Sequence, residues 1–141
     1  MPRPKLRTTL IILSMCAAPM LAHAGEGGAA APAPAPGKGE DAGQVAFNTH
    51  CRNCHSTKPG DNRLGPSLHN IVGAKAGQVK GFGGYSGGLT ADMTWDEATL
   101  DKFITNPTAM VSNTTMKPFG GVADAEQRKL IIEFLKTQTG S

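Results

Sequence analysis

Two cysteines and a histidine within five residues, Cys51-Arg52-Asn53-Cys54-His55, constrain this chain more than any other feature. Residues three apart share one face of a helical turn, so both thiols can reach one partner. Three chemistries use such a pair. One is a redox-active dithiol, another is half of a zinc site, and the third is covalent attachment of a haem through two thioethers, with the following histidine on the iron. Each demands different surroundings, so the rest of the 141 residues decides between them.

The N-terminus reads as an export signal over residues 1–24. Arg3, Lys5 and Arg7 form a basic start, Leu10 to Ala18 is apolar, and Ala22-His23-Ala24 offers small residues for cleavage. The apolar run is broken by Pro19 and is shorter than the roughly 20 residues that span a bilayer. Cleavage after Ala24 is expected, with an uncleaved N-terminal membrane anchor as the alternative. Removal takes Cys16, leaving Cys51 and Cys54 as the only pair. It also takes three of the 14 basic residues and none of the 11 acidic ones, so the mature chain carries 11 of each. The apparent basicity therefore argues neither for nucleic acid nor for an anionic membrane. Residues 25–38 alternate Ala and Pro with Gly and lack core side chains, so a disordered tail or linker is expected there.

The remainder, residues 39–141, reads as one all-α domain. No run of alternating β-branched residues is present. Three main helices stand out. The first starts near Glu40 or Asp41 and carries Val45 and Phe47 toward Cys51, with acidic residues in its first turn. The second is expected to be capped by Thr94 with Glu97 three residues on, to carry Leu100, Phe103 and Ile104, and to stop at Asn106-Pro107. The third is capped by Asp124 with Gln127 three residues on, and Leu130, Ile131, Phe134 and Leu135 form its apolar stripe. Long irregular stretches remain between His55 and Thr94 and between Pro107 and Ala123. So much loop, with so thin a core, calls for another organiser.

A haem is that organiser. The dithiol reading wants a strand–helix junction, and no strands are evident. Zinc needs four ligands, and only His50 and His69 remain to add. In Cys51-x-x-Cys54-His55 the two thiols can each add to a porphyrin vinyl group while His55 lies under the iron. Haem attachment in bacteria takes place outside the cytoplasm, which agrees with export. The second axial ligand must come from His50, His69, Met93, Met110 or Met116. His50 is too close in sequence to cross to the other haem face, and His69 lies in a segment expected on the His55 side. Met93 and Met110 fit ordinary packing. Met116 sits in a polar, irregular stretch that needs no core methionine, and this favours it as the ligand.

Several motifs in order now resemble the class I cytochromes c, in the branch of mitochondrial cytochrome c and bacterial cytochrome c2. They are Gly43 and Phe47, the haem motif, Gly65-Pro66-Ser67-Leu68-His69, Tyr85-Ser86 and Trp95, Asn106-Pro107 followed by Met116, and the closing Leu130-Ile131-Ile132-Glu133-Phe134-Leu135-Lys136. The resemblance implies a small class I cytochrome c fold, with three main helices, short helices and loops wrapped around one covalent haem c. It implies Cys51 and Cys54 as attachment points and His55 and Met116 as iron ligands. The Pro66 carbonyl would accept the other imidazole N–H. Tyr85, Trp95 and Thr114 would serve a buried propionate, Phe119 would cover part of the haem edge, and Gly43 would let the terminal helices cross. The arginine common after the glycine matched by Gly73 is here Ala74, with Lys75 as a partial substitute.

Histidine and thioether together fill both axial positions and raise the reduction potential. Outer-sphere electron transfer is then the expected activity, with no catalysis. The expectation is a soluble, monomeric, periplasmic single-electron carrier. It would meet redox protein partners at the haem edge, near Lys58, Lys75, Lys80 and Lys117, and bind no nucleic acid. Two other readings stand beside it: a tethered or subunit relay, and a haem protein reactive toward gases or peroxide.

Overall fold

The computed structural model describes residues 41–140. The expected signal (residues 1–24) and Ala/Pro segment (residues 25–38) lie outside the described residues. Among the described residues four helices occur in chain order: α1 (Ala42–His50), α2 (Glu97–Thr105), α3 (Pro107–Met110) and α4 (Ala125–Thr137). Among the described residues there is no strand, only an isolated bridge between Lys75 and Thr94.

Each helix begins where a short polar side chain takes up a free amide. Asp41 is extended and its carboxylate accepts from the Gln44 amide at 2.6 Å. The acid near the start of α1 is thus the cap itself, and the first turn contains none. Asn106 ends α2 in extended backbone, as a residue before proline must, and its side chain caps α3 by accepting from the Ala109 amide at 3.0 Å. Asp124 accepts from the amides of both Glu126 and Gln127 and starts α4.

The expected cap of α2 is corrected. Asp96, not Thr94, accepts from the Thr99 amide, at 2.7 Å. Thr94 lies in the bridge, where its hydroxyl accepts from Lys75 Nζ at 3.1 Å. That bond also employs the lysine expected to replace the missing arginine. The Thr99 amide holds the Asp96 carboxyl below its ordinary 3.8. A lowered folded value means the charge stabilises the fold above the ordinary carboxylate range and loses that effect as pH falls through the folded value. Asp96→Asn keeps a capping side chain without the charge. Its melting temperature should fall below that of the parent at neutral pH and converge with it in acid titrations below pH 3.8.

α1 and α4 cross with their backbones close together. A Cβ on Gly43 would sit 2.8 Å from the Leu130 carbonyl oxygen and 2.9 Å from Phe134 Cβ. Beside this crossing the Phe47 and Phe134 rings pack with centroids 5.2 Å apart, tilted by 40°. Gly43→Ala should therefore cost about 1–3 kcal/mol in denaturant unfolding, because the obstacles are backbone and Cβ atoms that cannot rotate aside. α4 also packs on α2. On that side lies Ile132, which the expected stripe omitted, beside Glu97, Ala98 and Asp101 of α2; it is buried, as are Ile131 and Leu135. Leu130 and Phe134 remain half-buried at the edge of the core.

Candidate haem site

α1 delivers the Cys51–His55 motif as its own continuation. The Cys51 amide donates to the Phe47 carbonyl at 2.8 Å, and the His55 amide donates to the Cys51 carbonyl at 3.0 Å. Cys51 is buried and Cys54 half-buried. Burial, with Cys54 beside it, pushes the Cys51 thiol up to about 12. A working dithiol needs a readily ionised sulfur, so this environment opposes that reading. Among the described residues, no group of three or more His, Cys, Asp and Glu is placed to hold a metal, so zinc lacks its ligands as well.

His55 is buried, and its Nδ1 lies 2.8 Å from the Pro66 carbonyl oxygen. A carbonyl can only accept, so Nδ1 carries the proton and Nε2 keeps its lone pair. Burial lowers the imidazole pKa and the Pro66 bond opposes that shift, so the ring stays neutral and ready to ligate. Gly65 forms the wall behind it. The Gly65 amide donates to the Cys54 carbonyl at 2.8 Å. A Cβ there would collide with the imidazole, reaching 2.7 Å from Nδ1 and 2.8 Å from Nε2. The sequence marked Gly65 as part of a motif but assigned it no such role.

The loop carrying Pro66 is fastened by its own polar side chains. Ser67 Oγ donates to the Lys58 carbonyl at 2.7 Å, and the Ser67 amide donates to Asn62 Oδ1 at 2.9 Å. Asn62 Nδ2 in turn donates to the Lys80 carbonyl at 3.1 Å, linking this loop to the next. Nothing in the sequence distinguished Asn62 from a surface asparagine. His69 is used elsewhere, with Nε2 2.8 Å from the Gly140 carbonyl oxygen.

The residues expected around the propionates are held by different neighbours. The Tyr85 hydroxyl accepts from the Val79 amide at 3.3 Å, leaving its own proton to donate, and its ring meets Phe82 edge-on at 4.9 Å. Burial raises the Tyr85 pKa, which keeps the phenol protonated. Trp95 is buried against Phe103 at 4.9 Å, and its amide donates to the Ala74 carbonyl at 2.8 Å. Thr114 is buried, and its hydroxyl accepts from the Met116 amide at 3.2 Å. Met116 itself is half-buried and packs on the core, as do Met93, Met110 and Phe119. Lys58, Lys75, Lys80 and Lys117 are all exposed.

These surroundings suit a haem. The donor set is two adjacent cysteines and a neutral, pre-oriented imidazole. Around the core lies a collar of half-covered apolar side chains, including Leu68, Val72, Val79, Leu89 and Met116, of the kind a large apolar ring would finish covering. The phenol of Tyr85 and the hydroxyl of Thr114 are polar groups suited to its carboxylates.

The family described as cytochrome c oxidase, cbb3-type, subunit III, matches residues 38–135. Cytochrome c2 iso-2 of Magnetospirillum molischianum is 38% identical over 89 residues, 63% of this chain and 91% of that protein. Cytochrome c2 of Rhodomicrobium vannielii is 41% identical over 102 residues, 70% of this chain and 78% of that protein. Among solved structures, cytochrome cH from Methylobacterium extorquens superposes with a TM-score of 0.60 at 37% identity, covering 67% of this chain and 94% of that one.

Proposed function

We propose that this chain, which belongs to the class I cytochrome c family, is a soluble periplasmic electron carrier with His55 and Met116 as its axial ligands. It carries one haem c, bound through the Cys51 and Cys54 positions of the attachment motif. The observation that carries the ligand reading is the 2.8 Å contact of His55 Nδ1 with the Pro66 carbonyl oxygen, which fixes the tautomer and aims Nε2. When bound, the haem supplies one-electron exchange between ferric and ferrous states.

The protein's own residues do the rest. The Pro66 bond holds the imidazole plane and strengthens it as a donor. Met116 supplies a thioether, which favours the reduced state relative to a second imidazole. Met110 is a poorer candidate, because it lines an outer groove with Lys102, Thr105 and Ala109. Met93 is the other rival: it packs on the core from the Lys75–Thr94 link, where its carbonyl accepts from the Ala76 amide at 2.8 Å. Tyr85 and Thr114 offer hydroxyls to a propionate, and Trp95 offers its indole N–H. The exposed Lys58, Lys75, Lys80 and Lys117 suit docking of an acidic redox partner, whose reaction salt would slow.

The export signal at residues 1–24 and the attachment chemistry support the periplasm. Among the described residues no helix is long and apolar enough to cross a membrane. The description of the matching family as an oxidase subunit favours one second reading, a relay inside a larger complex. Against it, the chain spans nearly the whole of a cytochrome c2. The purified holoprotein should run as a monomer and show a low-spin haem that switches reversibly between oxidation states. Rapid carbon monoxide binding by the native ferrous protein at neutral pH would overturn the carrier reading.

A further inference from the structure

The segment bearing Met116 is an irregular arm between α3 and α4, and it is fastened differently at its two ends. Upstream, Asn113 Nδ2 donates to the Ser86 carbonyl at 3.1 Å and Thr115 Oγ1 donates to the Gly84 carbonyl at 2.9 Å. Both bonds tie the arm to the glycine-rich loop. Downstream, the Val122 amide donates to the Ile104 carbonyl at 2.9 Å. The remaining downstream ties come from one side chain on another element. Arg128, in the first turns of α4, donates through Nη1 to the carbonyls of Val122 at 3.0 Å and Ala123 at 2.8 Å. Its Nε donates to Asp101 of α2 at 2.6 Å, and only 12% of its side chain is exposed.

A guanidinium presents several donors in a fixed plane, so one cation can lock three oxygens from two elements together. Here it joins the downstream root of the arm to α2 and to α4. Near that root, Gly121 has φ +101° and runs so close to α2 that a Cβ would sit 2.8 Å from the Thr105 carbonyl carbon, so the chain has no slack to take up a displacement. Only five residues, 117–121, separate Met116 from Val122, so a shift of the root acts on a short stretch that ends at the methionine.

We propose that Arg128 is a positioning residue for the Met116 arm, fixing its downstream root and thereby setting how readily Met116 yields its place to an outside ligand. The proposal rests on the reading of Met116 as the second axial ligand. Its test uses the full-length ferric holoprotein, imidazole as the competing ligand, and amide hydrogen exchange over residues 111–123. In Arg128→Gln, imidazole affinity should rise about tenfold and exchange over this segment should quicken by a similar factor, as expected when charge-assisted bonds are lost. Arg128→Lys retains the pairing with Asp101 without the two-carbonyl fork and should fall between. Ile132→Ala, a core lesion of α4 chosen to match the loss in denaturant midpoint, should change imidazole affinity less than twofold.

Unchanged imidazole affinity and exchange in Arg128→Gln would overturn the proposal, and so would an equal rise in Ile132→Ala. If Arg128→Gln yields no holoprotein, Arg128→Lys alone decides, with parental values for both readouts counting against. Failure of the ligand reading looks different. Met116→Ala would then leave the thioether charge-transfer band in place, while Arg128→Gln would still quicken exchange over residues 111–123.

Discussion

Gly65→Ala is expected to disable haem-site assembly at a position that supplies neither a thiol nor an imidazole to the site. The added methyl would lie on the His55 imidazole, within 3 Å of both ring nitrogens. Ordinarily such a clash is relieved by one partner turning away. Here the ring is pinned by its Nδ1 contact with Pro66 and by burial, and the Gly65 backbone is pinned by its amide bond to the Cys54 carbonyl. The loop must move outward and take Pro66 with it, so the clash and the loss of the imidazole bond come together. Overpacking against such a wall costs about 3 kcal/mol or more. A severalfold loss of holoprotein yield and a large drop in unfolding midpoint should both appear. Gly83→Ala is the control, because a Cβ there meets nothing within 4 Å. That variant should stay within about 0.5 kcal/mol of the parent. A Gly65→Ala protein with parental yield and midpoint would mean the loop is far softer than its bonds suggest.

What made the fold legible was its local chemistry. The starts of α1 and α4 follow from Asp41 and Asp124, and the break between α2 and α3 follows from Asn106-Pro107. Each of these is decided within four residues. Thr94 misled for the same reason. Its spacing to Glu97 fits a capping box, but a bridge to Lys75, 19 residues earlier, claims its hydroxyl. The long connections were illegible because their order is built from side chain-to-backbone bonds over large separations, such as Asn62 to Lys80 and Thr115 to Gly84. Arg128 drew no assignment from its sequence position for that reason too, since its partners lie on other elements. Ile132 was missed because α4 packs against two helices, which widens its apolar face beyond a single stripe. The attachment motif was legible because covalent chemistry fixes the spacing of Cys51 and Cys54. The second face proposed for the site depends on how the irregular Met116 arm folds back, which no local pattern specifies.

That second face gives the other large effect. Met116→Ala should abolish the weak red thioether-to-iron charge-transfer band of the oxidised protein and lower its reduction potential by on the order of 0.1 V, a fraction of the roughly 0.8 V over which axial ligands set haem potentials. The sign follows from the ligand. A thioether is a soft donor that stabilises the ferrous state, and water or hydroxide in its place does not. The fold itself should survive. Met116 is half-buried at the rim of the core, whereas Ile131 and Leu135 are among the side chains that fill it. Thr114 and Val111 would still seat the arm through their own buried side chains. The variant should therefore keep its attached haem and its helices while gaining affinity for carbon monoxide and imidazole. Met93→Ala and Met110→Ala should keep the band. Met93 pays a packing penalty beside the Lys75–Thr94 link, and Met110 lines the outer groove of α2. Loss of the band in Met93→Ala with retention in Met116→Ala would move the second ligand to the start of α2. The arm from α3 to α4 would then be a cover over the haem edge, and its fastening by Asn113, Thr115 and Arg128 would bear on access to the site without bearing on ligation.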